Sequence, residues 1–127
     1  MMQLQEKADN LAIEASNNLE SAKKLIDKER VLHGLFYCHL VIQKILRAIV
    51  IKKTNAIPSK TIDLNTLLDK SNIELNKENM DFIKILINFH IQGRYPSINQ
   101  VTPNSNVGND YISQTESLYN TLKKNYK

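Results

Sequence analysis

The chain has 127 residues, 42% of them hydrophobic and 24% charged, a size and balance that fit one globular domain and nearly exclude a two-domain enzyme. Only three Gly and three Pro are present, which disfavours a glycine-cradled nucleotide fold and turn-dense all-β architectures. The formal net charge is +4, which invites an anionic partner, but Asn, Ile and Lys make up 44 of the 127 residues, and their shared AU-rich codons account for a basic balance without any selection for binding.

From Gln3 to Lys28, Leu4, Ala8, Leu11, Ala15, Leu19, Ala22 and Leu25 recur at steps of three and four. That spacing predicts a long amphipathic helix with one narrow stripe. Its small Ala residues invite a close neighbour. From Val31 to Lys53, Val31, Leu35, Cys38, Ile42, Ile45 and Ile49 follow one face, and Leu32, Phe36, Leu40, Leu46 and Val50 widen it. So apolar a helix belongs at the centre of a bundle. Its polar exceptions His39, Gln43 and Arg47 step by four and fall within a roughly 80° arc at ~100° per residue, with Lys44 and Tyr37 further round. Such a line must find partners inside the fold or open onto a groove.

Asn55 to Lys60 reads as a loop, and Thr61 or Asp63 is a candidate cap for a short helix carrying Leu64, Leu67 and Leu68, ending at Ser71-Asn72. Asn76 is expected to cap a further helix to about Gln92, with Met80, Ile83, Leu86, Ile87 and His90 on one face and Gly93 as its stop. Tyr95 to Gly108 is polar, carries Pro96 and Pro103, and reads as a long loop of the kind that often has a function. Asn109 or Asp110 is the expected cap of a last helix with Ile112, Thr115, Leu118, Tyr119 and Leu122. No segment alternates as a strand does. The expected fold is all-α: an up-and-down bundle of four main helices plus one short helix, forming one domain over 1–127 with its core at about 3–122.

No apolar run exceeds four residues, against the roughly 20 that a bilayer span needs, so no transmembrane helix and no membrane partner are expected. The N-terminus lacks the basic start and apolar stretch of a secretory signal. The one cysteine, Cys38, excludes an internal disulfide framework and a cysteine zinc cage and fits a reducing cytoplasm, the expected location. The three histidines lack the i,i+4 pairing of a helix-borne metal site. No metal and no cofactor are expected.

Four landmarks in chain order give a resemblance. Ala15-Ser16-Asn17-Asn18-Leu19-Glu20-Ser21-Ala22-Lys23-Lys24-Leu25-Ile26 is similar to an opening A-x-x-D-L-x-x-A-x-x-L-L, and His39-Leu40-Val41-Ile42-Gln43-Lys44-Ile45-Leu46-Arg47-Ala48 to a Q-A-A-E-K-x-L-K-A helix. Pro58-Ser59-Lys60-Thr61-Ile62-Asp63-Leu64-Asn65-Thr66-Leu67-Leu68 is similar to P-x-x-T-H-D-L-x-x-L-L, and Gly93-Arg94-Tyr95-Pro96-Ser97 to A-R-Y-P-D. Together, over residues from about 10 to 122, the chain resembles the HEPN domain family. It departs from the family pattern where Gln43 replaces a Glu, Arg47 a Lys, Ile62 a His and Ser97 an Asp.

The resemblance implies one of two roles. Some HEPN proteins are metal-independent ribonucleases, several of them toxins of toxin–antitoxin pairs, in which an Arg and a His separated by roughly four to six residues meet across a dimer interface. Others lack that pair and are regarded as nucleotide- or RNA-binding companions of a small nucleotidyltransferase. Neither Arg94 nor Arg47 is followed by a His at that spacing, and only two residues separate Arg30 from His33. RNA cleavage without metal needs a base, an acid and a cation. Arg94 and Arg47 supply guanidinium groups for a phosphate, but a proton shuttle beside them is missing from the pattern.

The leading expectation is therefore a non-catalytic HEPN-like module. Arg94, Tyr95, Arg47, Gln43, Lys44 and His39 would line its groove for nucleotide or RNA. It would form a homodimer and act with a nucleotidyltransferase-type partner. The alternatives are a ribonuclease with a displaced set of Arg94, His39 and Arg47, and a purely structural dimerisation protein.

Overall fold

A computed structural model describes the backbone of residues 2–58, 63–94 and 104–126, with side chains described throughout these except for Met2 and residues 88–94. Five helices follow in chain order: α1 (Met2–Asp27), α2 (Val31–Thr54), α3 (Leu64–Ser71), α4 (Lys77–Arg94) and α5 (Ser105–Tyr126). The fold is the all-α bundle of four main helices and one short one that the periodicity predicts, and no strand occurs among the described residues.

The α1 stripe behaves as its spacing requires. Ala8, Ala15 and Ala22 are fully buried, and their small side chains let α2 lie against α1 in the most extensive helix pair of the molecule. At its C-terminal end the stripe turns. Ile26 is buried where Leu25 is only half-buried, because a 3.6-residue helix drifts against a seven-residue repeat.

The α1–α2 turn closes on itself. Arg30 N–H donates to Leu25 O at 2.8 Å and Glu29 N–H to Ile26 O at 2.9 Å, with Glu29 in the left-handed region at φ 64°. These are the paired bonds of a Schellman motif, and they deliver Arg30 directly to the N-cap position of α2.

Helix α2 packs against all four other helices. Leu35, Cys38, Ile42, Ile45 and Leu46 are fully buried within it, and each Leu or Ile so placed stabilises the fold by about 1.5–3 kcal/mol. Among the described residues, α2 alone is apolar enough by length and mean hydropathy (1.6) to cross a membrane, yet 72% of that stretch is buried inside the fold. Its apolar character is that of a helix enclosed on most sides.

The caps confirm some boundaries and move others. Asp63 caps α3, accepting from Asn65 N–H at 3.1 Å. Asn76 caps α4, accepting from Asn79 N–H at 2.8 Å. Helix α4 runs to Arg94, through the expected stop at Gly93. Helix α5 begins at Ser105, five residues before the later of its two expected caps, Asp110, because Asn104 Oδ1 accepts from Val107 N–H at 2.9 Å. Gly108 is thus inside a helix, where a Cβ would stand 3.1 Å from Val31 Cγ1 and 3.2 Å from Ile26 Cγ2. The expected loop over 95–108 is shortened accordingly; its remaining residues 95–103 lie outside the described residues.

Candidate functional site

The polar arc expected on α2 divides on folding. His39 is 2% exposed and Gln43 8% exposed. Both lie in the interior, not on an open groove. Arg47 is half-buried and has no ion-pair partner among the described residues. Lys44 Nζ reaches across to Glu14 Oε1 of α1 at 3.0 Å. Arg94 is the last residue of α4, with its side chain outside the description, and Tyr95 lies outside the described residues altogether. Convergence of Arg47 and Arg94, expected from the motifs, falls on that undescribed part.

What opens to solvent on α2 is a neighbouring face. Between Val31 and Arg47 the residues that are not buried are Leu32, His33, Phe36, Tyr37, Leu40, Lys44 and Arg47. All but Leu32 fall in a roughly 100° arc at ~100° per residue. This face is centred on Leu40, not on Gln43, and Arg47 stands at the edge common to both. Phe36 and Tyr37 meet edge to face with ring centroids 5.9 Å apart, a favoured aromatic geometry.

At the N-terminal end of this face, Ser21, Lys24 and Leu25 of α1 meet Arg30, His33 and Tyr37 around an open groove of about 360 Å³. Lys24 and Arg30 are exposed and, among the described residues, take part in no ion pair. The neighbouring Lys23 is committed elsewhere: its Nζ lies 3.0 Å from Glu116 Oε2 of α5 and 3.6 Å from Glu20 Oε1. The hydrogen bond to Glu116, together with the two carboxylate charges, holds its ammonium above the ordinary lysine range despite partial burial. In the sequence His33 is marked only by its failed spacing from Arg30, and no spacing rule links Lys24 to Arg30 across a turn.

Cys38 is not a nucleophile. It is fully buried, and burial pushes its thiol up to about 11, against a smaller downward pull from the Thr115 hydroxyl; reactive thiols have depressed values. Among the described residues no group of three or more His, Cys, Asp or Glu is placed to hold a metal ion.

Comparison with solved structures places the chain over 94% of its length on the crystal structure of a protein named TT1696 from Thermus thermophilus, with a TM-score of 0.79, 98% of that chain covered and 13% identity. At that identity the likeness establishes the fold. Comparison with curated proteins gives no match. The family model described as "HEPN domain" matches residues 8–125, a span that holds α2, α3 and α4 whole and most of α1 and α5. The chain belongs to the HEPN domain family.

Proposed function

We propose that this protein is a non-catalytic HEPN module that binds nucleotide or RNA. It works in the cytoplasm as a homodimer, beside a nucleotidyltransferase-type partner. The observation that carries the reading is the burial of His39. It is the one imidazole on the polar arc of α2, and a proton shuttle for RNA must reach the 2′-hydroxyl from an accessible position. His33 is accessible beside Arg30 and Lys24, but only two residues separate it from Arg30, and no Arg is followed by a His at the ribonuclease spacing. The groups that remain, Arg47 on α2 and Arg94 at the end of α4, are guanidinium groups suited to holding phosphate. They bind and orient; they do not shuttle protons at neutral pH.

The test is incubation of the purified protein with mixed RNA in chelator, together with melting curves in ATP, GTP and RNA oligomers. The expected result is intact RNA and a ligand-dependent rise in melting temperature, since a ligand at a hundredfold its Kd stabilises by about 2.7 kcal/mol. Cleavage that disappears in Arg94→Ala and His39→Ala overturns the reading in favour of a ribonuclease. No shift with any ligand leaves a structural dimerisation protein.

A further inference from the structure

From the open face of α2 we infer that the ligand is a single-stranded polynucleotide laid along that helix, anchored at one end by Lys24 and Arg30 and at the other by Arg47. The inference rests on the reading of the previous subsection and narrows it from nucleotide or RNA to a strand.

Three observations carry it. The first is the interleaving of charge and ring on one face: between His33 and Arg47 the accessible side chains of α2 are His33, Phe36, Tyr37, Leu40, Lys44 and Arg47, and all six lie on that face. Cations that follow a backbone, alternating with aromatic surfaces on which bases stack, are what sequence-tolerant binding of single strands requires. The second is the state of the cations. Lys23 and Lys44 are tied to carboxylates, but Lys24, Arg30 and Arg47 have no ion-pair partner among the described residues. Their charges are therefore not neutralised by a carboxylate of the described residues. Asp27 and Glu29 stand in the same turn as Arg30, and neither lines the groove.

The third is distance. His33 and Arg47 are fourteen residues apart on one helix, or about 21 Å at 1.5 Å per residue. A single nucleotide cannot touch both ends. A stacked strand at about 3.4 Å per nucleotide covers that length with about six nucleotides. The groove at the N-terminal end is a shallow one open to solvent, not an enclosed cavity, so a strand can pass through it. Tyr37 forms its wall beside Arg30 and Lys24, so one base can stack on the phenol while its phosphate meets the cations. These groups do not distinguish ribose from deoxyribose, and the shared chemistry is that of a phosphodiester strand with unpaired bases.

The test is fluorescence anisotropy with end-labelled strands of about eight and two nucleotides, in ribose and deoxyribose forms, with unlabelled mononucleotide as competitor. The wild-type protein is compared with Lys24→Ala/Arg30→Ala, Arg47→Ala and Arg30→Glu. All substituted residues lack ion pairs among the described residues, and helix content by far-UV circular dichroism checks that each variant is folded. The octamer is expected to bind far more tightly than the dinucleotide or the mononucleotide. Loss of either end should weaken octamer binding about tenfold, loss of both should weaken it multiplicatively, and each loss should flatten the salt dependence. Tighter binding of the ribose octamer assigns RNA as the strand; equal binding assigns any single strand, and both support the inference. Octamer affinity unchanged in Lys24→Ala/Arg30→Ala and Arg30→Glu but lost in Arg47→Ala overturns the strand and leaves ligand binding at Arg47 intact. A mononucleotide that competes as well as the octamer does the same. Binding of neither strand nor mononucleotide overturns both readings.

Discussion

Ile26 Cγ1 stands 2.5 Å from the position a Cβ on Gly34 would take, and the backbone oxygen of Ala22 stands 3.2 Å from it. The α1–α2 pair is therefore closed to within less than one methyl group at this level. Alanine is the better helix former by about 1 kcal/mol, yet overpacking costs about 1–3 kcal/mol, and Ile26 is held in the core while the Ala22 oxygen is backbone. Gly34→Ala is expected to lower stability by about 1 kcal/mol and the melting temperature by about 4 °C, measured by thermal denaturation. At Gly108 the nearest atoms are side-chain methyls at 3.1 Å and 3.2 Å, so Gly108→Ala is expected to be milder than Gly34→Ala in the same experiment.

Alkaline pH is expected to destabilise the protein through Cys38. Its thiol is raised from 9.0 to about 11 on burial. Above pH 9 the unfolded chain loses the thiol proton while the folded one keeps it, so stability is flat below pH 9 and falls between pH 9 and 11. A shift of that size corresponds to about 2–3 kcal/mol. Tyr126, raised by burial and by its hydrogen bond to Asp9, and Lys23, raised by Glu116, act in the same direction at higher pH. Urea denaturation at about pH 8 and about pH 10 should show a smaller drop for Cys38→Ala than for the wild type; an equal drop would falsify the assignment.

The same burial predicts slow thiol chemistry. Cys38 should react with a thiol reagent at neutral pH only as fast as the protein unfolds, and at full speed in denaturant. A rate independent of added denaturant would show instead that the thiol is reached from the folded state.

Asp63 holds α3 at its start, accepting from Asn65 N–H at 3.1 Å and from Thr66 Oγ1 at 2.9 Å. Asp63→Ala is expected to cost about 1 kcal/mol, the usual worth of an N-cap, and Asp63→Asn less, read from the denaturant midpoint.

Glu14 and Lys44 tie α1 to α2 at 3.0 Å, but with side chains 53% and 22% exposed. A double-mutant cycle is expected to give a coupling below about 1 kcal/mol that shrinks in high salt.

The helices were legible because their apolar steps are regular and because α2, being apolar nearly all round, had to be central. Boundaries were legible where a side chain makes the cap, as at Asp63 and Asn76. They are not legible where a polar stretch reads as loop as far as Gly108: Gly108 serves the close approach of α5 to Ile26 and Val31, and the cap at Asn104 lies inside that stretch. On α2, the sequence marks His39 and Gln43 as polar but not which flank a neighbouring helix covers; only packing turns the open face toward Leu40. The groove of Lys24 and Arg30 was not legible, since its two halves come from different helices and meet only through the Schellman turn at Glu29.

The arrangement in which α2 serves as common wall for every other helix has a consequence during synthesis. The α1–α2 hairpin leaves the ribosome before α5 is made. Until Thr115 arrives, the side of α2 that carries Cys38 lacks the cover that α5 gives it in the fold. A chain truncated after α2 is therefore expected to aggregate, not to give a smaller soluble product.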